Sequence, residues 1–243
     1  MTEITMRFYE ELNDFLPPER RKREFVVSLD HRASVKDLIE SMGVPHVEVD
    51  LILVDGRSVG FDHLANQARR ISVYPVFESL DIAAVQHLRP SPLRNPRFVL
   101  DVHLGWLARR LRLLGFDCLY ENQADDDRLA DLSSTENRIL LTRDRELLKR
   151  RVVERGYWVR TTDPGRQIPE VLDRLDLREM VRPVGRCPRC NGELNEVAAD
   201  EVRDLVPPES FARFDRFWRC QDCGQPYWRG SHVEALEEWM RGL

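Results

Sequence analysis

Nowhere does the chain carry the run of about 18 apolar residues that a membrane-spanning helix needs. Its first residues, MTEITMRFYEEL, also lack the basic-then-apolar order of a secretory signal. Together these absences lead to the expectation of a cytoplasmic protein. Cysteine is scarce, with five in 243 residues, and four of the five fall in two C-x-x-C pairs. That usage fits a metal site in a reducing compartment better than a disulfide framework. Internal repeats and low-complexity tracts are missing too, which sets aside repeat architectures. What is present is enough apolar material, 42% of the residues, to build real cores.

A net charge of −5 argues against a nucleic-acid partner only on average. Residues 1–85 carry 10 basic and 15 acidic side chains, residues 86–185 carry 19 and 16, and residues 186–243 carry 8 and 11. The middle third alone is net basic, so a polyanion should bind there first. Breaks in pattern divide the chain in the same places. Three prolines in the seven residues from Pro90 to Pro96 disfavour helix and sheet alike, and a second break surrounds Pro183 and Gly185. The expected organisation is a first domain over 1–85, a linker over 86–96, a second domain over 97–183 and a third over 184–243.

The first segment reads as strand, strand, helix, strand, strand. Ile4, Met6 and Phe8 alternate, EFVVSLD can pair with them, and Ser34 is placed to cap a helix that Gly43 ends. Asp55-Gly56 marks a hairpin turn before the strand RRISVYPVF. This order resembles the β-grasp fold of ubiquitin and the small sulfur carriers. The chain runs on past the place where those carriers end in a free Gly-Gly tail, so docking to a protein partner or autoregulation is expected rather than carrier chemistry.

The second segment alternates strands and helices: RFVLD, HLGWLARRLRLLG, FDCLYEN, a helix opened by Asp125-Asp126-Asp127, RILLT, DRELLKRRVVERG, YWVRTTD, and a last helix near Gln167 to Leu177. Repeated β-α units of this length predict a parallel sheet. In such a sheet the carboxyl ends of the strands share one edge, where these folds bind ligands. Three apolar runs stop there at an aspartate, namely Asp101, Asp144 and Asp163. Gathered carboxylates repel one another, and a divalent cation removes the conflict, so Mg²⁺ or Mn²⁺ is the expected ligand. The competing account of Asp144 is an N-cap for the helix that begins at Arg145.

From Arg97 to Asp163 the motifs LDVHLGWLARRLRLLGFD, ADDDRL and RILLTRDREL resemble the PIN-like ribonuclease family known as the mut-seven C-terminal RNase domain. That family carries a zinc ribbon after its PIN-like fold, and some members have an N-terminal ubiquitin-like domain. The resemblance implies metal-dependent, endonucleolytic cleavage of RNA. It maps Asp101 and Asp144 onto metal-binding acids and Asp163 onto the fourth acid. It leaves Asp126 or Asp127 as the second acid, with Asp126 preferred. Arg143 and Arg145, flanking Asp144, are expected to contact RNA phosphate, and Arg109, Arg110, Arg112, Lys149, Arg150 and Arg151 are further candidates. The rival expectation from another class is a non-catalytic RNA-binding adaptor with a ubiquitin-like docking domain.

In the third segment Cys187-x-x-Cys190 and Cys220-x-x-Cys223 form two knuckles suited to structural Zn²⁺. The 29 residues between them exceed the usual ribbon spacing and predict an elaborated hairpin. Phe217, Trp218, Tyr227, Trp228 and Trp239 are expected to form its core, His232 to be a weak RNA contact, and Cys118 to be inert packing in a buried strand. The whole is an α+β multidomain protein: a β-grasp domain, a PIN-like α/β domain with a parallel sheet, and a zinc ribbon.

Overall fold

A computed structural model describes residues 1–75, 88 and 95–230. The linker expected over 86–96 falls largely outside the described residues, as do His232 and Trp239. In chain order the elements are β1 (Thr2–Phe8), β2 (Phe25–Leu29), α1 (Val35–Ser41), β3 (Val49–Val54), β4 (Arg57–Ser58) and β5 (Arg70–Pro75). Next come β6 (Arg97–Leu100), α2 (Gly105–Leu113), β7 (Asp117–Tyr120), α3 (Asp126–Thr135), β8 (Ile139–Thr142), α4 (Arg145–Leu148), β9 (Gly156–Trp158) and α5 (Pro164–Arg174). The last are β10 (Leu194–Val197), α6 (Pro208–Arg213), β11 (Phe217–Cys220) and β12 (Pro226–Trp228). Among the described residues no helix is long and apolar enough to cross a membrane.

These elements form two compact units, one of residues 1–95 with 126–158 and the other of residues 96–125 with 159–243. The first unit contains the β-grasp sheet, in the order β2-β1-β5-β3-β4. β1 pairs antiparallel with β2 and parallel with β5, the mixed pairing that a strand-helix crossover produces. Alternation along β1 buries Ile4, Met6 and Phe8 against α1, each side chain contributing about 1.5–3 kcal/mol. Ser34 caps α1 in a reciprocal box with Asp37, and Gly43 leaves the helix at φ +92°. Asp55 and Gly56 both take positive φ, as their two-residue hairpin turn requires.

The same unit includes α3, β8, α4 and β9, with β8 and β9 parallel. α4 is a single turn, shorter than the helix expected from DRELLKRRVVERG. Its last turn closes at Lys149, and the β-branched pair Val152-Val153 then leaves the helix so that Val153 can bury completely. In the second unit β6 and β7 run parallel in register from Arg97 opposite Asp117 to Leu100 opposite Tyr120. α2 is amphipathic as expected, burying Leu107, Ala108 and Leu111 and ending at Gly115 with φ +96°. α5 begins at Pro164, three residues earlier than expected, because Asp163 caps it and proline is favoured in the first helical turn.

The ribbon is an antiparallel sheet in the order β10-β11-β12. The long interval between its knuckles holds a 3-10 turn over Ala199–Val202 and α6, which is the expected elaboration. Phe217 and Trp218 are buried on opposite sides of β11 and seed two small cores, one around the knuckles and one under α6.

Candidate metal centre and carboxylate sites

Each knuckle is a tight turn that brings two thiols together, and the two turns meet. Sγ atoms of Cys187, Cys190, Cys220 and Cys223 all lie within 4.8 Å of one another, with 3.7 Å from Cys187 to Cys223 and 3.4 Å from Cys190 to Cys220. A tetrahedral zinc with bonds near 2.3 Å would space its sulfurs by roughly 3.8 Å, so the cage fits the ion. Cys187 and Cys220 are buried while Cys190 and Cys223 face solvent. Burial opposes ionisation of the Cys187 thiol. Hydrogen bonds from Tyr227 Oη at 3.1 Å and from the backbone N–H groups of Cys190 and Arg189 outweigh it and bring its pKa down to about 7. Burial and the neighbouring thiols push Cys190 up to about 12. Cys187 drawn toward the thiolate beside Cys190 held as the thiol is a conflict that a zinc ion would resolve.

Arg112 anchors this centre. Its buried guanidinium donates to the carbonyls of Cys118 at 2.9 Å and Pro188 at 3.0 Å, tying the first knuckle to β7. Burial lowers its pKa and the nearby thiols counter that loss. A zinc tetrathiolate formed here would carry two net negative charges, and Arg112 would set a positive one beside it. Arg112 is therefore not an exposed phosphate contact, contrary to the expectation from charge alone. Asn191 completes the seam, accepting from Cys118 N–H at 2.9 Å and donating to the Asp117 carboxylate at 2.7 Å. Gly185 packs so closely on Gly115 that a Cβ would lie 2.6 Å from the Gly115 Cα. Sequence reasoning missed Asn191 and the anchoring role of Arg112. The C-P-R-C-N-G run of the first knuckle was the available signal.

The carboxylates are placed differently. Asp101 and Asp163 belong to the second unit, and Asp126 and Asp144 to the first. Asp101 directly follows β6, whose Phe98, Val99 and Leu100 are buried, and it is itself only 7% exposed. Its side chain makes no cap bond to the 3-10 turn Val102–Leu104 that it precedes. Tyr120 braces that turn by donating to the Val102 carbonyl at 2.9 Å, and its ring passes so close to Gly105 that a Cβ there would meet Oη at 2.5 Å. His103 is exposed in the same turn.

Asp144 and Asp163 share one local design. In each, a threonine two residues earlier accepts the aspartate N–H, Thr142 at 2.9 Å and Thr161 at 3.2 Å. Each aspartate Oδ1 then accepts the N–H two residues on, from Glu146 at 2.8 Å and Gly165 at 2.9 Å. Both are helix caps, each using one of its two carboxylate oxygens. Asp126 and Asp127 open α3, and Arg150 reaches both, 3.8 Å from Asp126 and closer to Asp127. That pairing spends Arg150 on the helix start. Arg143 and Arg109 are exposed. Arg110 lies over the exposed ring of Trp106 at 5.1 Å, and Arg145 over Trp158 at 3.9 Å. Cys118 is buried, as packing requires.

Comparison with known families bears on both sites. A family model described as the Mut7-C RNAse domain matches residues 96–240, and one described as Mut7-C ubiquitin matches residues 1–81. Among curated proteins and solved structures nothing matches.

Proposed function

We propose, from the premise that this chain belongs to the Mut7-C RNase family, that it hydrolyses RNA phosphodiester bonds endonucleolytically with Mg²⁺ or Mn²⁺. The observation that carries this reading is the family match over 96–240, a span that contains Asp101, Asp126, Asp144 and Asp163. Carboxylates are hard oxygen donors suited to either ion, with Asp101 and Asp144 as the principal ligands and Asp126 and Asp163 completing the set. A divalent cation held there would supply charge neutralisation at the scissile phosphate and a more acidic water.

The residues themselves divide the work. Asp101 presents a fixed, largely dehydrated carboxylate, because its strand is buried and its turn is braced by Tyr120. Asp144 offers the carboxylate oxygen that its cap does not use. Arg143 is exposed beside Asp144 and contacts phosphate. Arg145 stacks its guanidinium on the Trp158 ring beside Asp144, and it is the second proposed phosphate contact. The ribbon holds structural zinc and helps position the RNA, in a reducing cytoplasmic setting that keeps its thiols available.

The double capping by Asp144 and Asp163 favours a second reading, an RNA-binding adaptor in which these acids serve only their helices. A cleavage assay on mixed-sequence RNA with Mn²⁺, with and without chelator, separates the two. The nuclease reading expects chelator-sensitive cutting that Asp101→Asn abolishes in a folded protein. RNA binding without cleavage at any Mn²⁺ concentration would establish the adaptor.

A further inference from the structure

The first unit joins two parts of the chain that are far apart in sequence. Trp158, at the end of β9, packs against the β-grasp core. Its backbone N–H donates to the Glu48 carboxylate at 2.7 Å, and its ring lies 4.9 Å from that of Phe15. The opposite margin of the same residue reaches the Asp144 loop. Trp158 Nε1–H donates to the Arg143 carbonyl at 3.2 Å, and the Arg145 guanidinium lies 3.9 Å from the Trp158 ring centre and 5.2 Å from that of Phe15. One tryptophan therefore holds the residues on both sides of Asp144, one by its backbone and one by its side chain. A second seam runs through His46, whose Nε2 bonds the Val153 carbonyl at 3.0 Å while Nδ1 meets Glu40 at 2.7 Å. At Gly156 a Cβ would lie 2.6 Å from Leu148 and 3.5 Å from Val47, so the glycine lets β9 lie close to both.

We propose that the β-grasp domain acts in cis as the positioning element of the Asp144 loop, with Phe15 and Trp158 as positioning residues that set where the Asp144 carboxylate stands. The idea deepens the nuclease reading and rests on it only for its catalytic consequence. A ubiquitin-like domain serving solely to recruit another protein has no need to place an aromatic ring against an arginine one residue from a metal-binding acid. A loop whose cap aspartate must also hold an ion needs external bracing, because α4 is a single turn and cannot fix its own N-terminus. Aromatic and cation–π contacts supply such bracing and are lost when the ring is lost.

The test uses the full chain and two measurements. Phe15→Leu keeps apolar bulk but removes the ring, Phe15→Tyr restores a ring, and Ile52→Val loosens the β-grasp core at β3 without touching either ring of the Phe15–Trp158 pair. Amide exchange reads the bracing itself: Phe15→Leu should speed exchange of the Glu146 amide, whose acceptor is Asp144, about three- to tenfold. Phe15→Tyr should restore protection, and Ile52→Val should leave that amide unchanged. Cleavage reads the consequence: the Mn²⁺ concentration for half-maximal rate should rise about three- to tenfold in Phe15→Leu and not in Ile52→Val. Equal responses from Phe15→Leu and Ile52→Val would reduce the effect to general stability and overturn the proposal, as would an unchanged Glu146 amide in Phe15→Leu. Loss of protection at Glu146 in a chain that never cleaves RNA would uphold the bracing and reject the nuclease reading alone.

Discussion

The four clustered thiols and the four proposed carboxylates contrast two ways in which a site can be specified. The thiols come in pairs three residues apart, each pair on one turn, so local geometry does most of the gathering, and only the meeting of the two turns needs the fold. The carboxylates are spread over 101–163, each on a separate connection, and divided between two compact units. Their surroundings differ as well. Asp101 is buried and makes no cap bond to the 3-10 turn it precedes, whereas Asp144 and Asp163 are exposed and bonded in matching threonine-aspartate turns. A locally built site has one purpose for each residue. A dispersed one can give a residue two, one in the helix it caps and one in the ligand it holds.

The sharpest way to break that contrast is at the thiols. Cys220→Ser should strip zinc and unfold the ribbon, since structural zinc supplies on the order of 10 kcal/mol or more to so small a core. Metal analysis and a thermal melt with and without chelator measure it, and a native protein without zinc would remove the basis of the comparison. Next in size are the carboxylates. Asp101→Asn and Asp144→Asn should each lower cleavage by roughly two to three orders of magnitude, and the double variant should be little worse, because ligands of one ion act as a unit. Their melting in chelator should hold steady or rise as mutual repulsion falls.

Arg112→Met tests whether the ribbon is as self-contained as its sequence suggests. Removing the buried donors to Cys118 and Pro188 should cost about 2–3 kcal/mol and lower zinc retention, without changing the RNA salt dependence. A change in salt dependence instead would return Arg112 to the phosphate contacts. Smallest are the caps. Asp144→Ala and Asp163→Ala should each cost about 1 kcal/mol in a chelator melt, whereas asparagine, which caps as well, should cost almost nothing. For Asp144 the two substitutions then separate the cap from the chemistry: both should lose cleavage, but only alanine should lose stability.

Periodicity and punctuation in the sequence determined the β-grasp order, the Ser34 and Asp55-Gly56 signals, the amphipathic α2 and the paired knuckles. Each of these depends on residues within a few positions of one another, where steric and hydrogen-bonding preferences act directly. The cap reading of Asp144 was equally legible, because an N-cap is a local bond. What local pattern could not decide is where long side chains spend their charge. Arg112 and Arg150 both have the sequence appearance of arginines on a solvated helix face, yet one is buried against a knuckle and the other pairs with the start of α3. Nor could the pattern stop α4 after one turn, since that required Val153 to find a core elsewhere. The closest coupling, from Phe15 through Trp158 to the residues beside Asp144, joins positions more than a hundred apart. Tertiary structure alone decided it, because burial of aromatic faces is non-directional along the chain and is settled only by which surfaces meet.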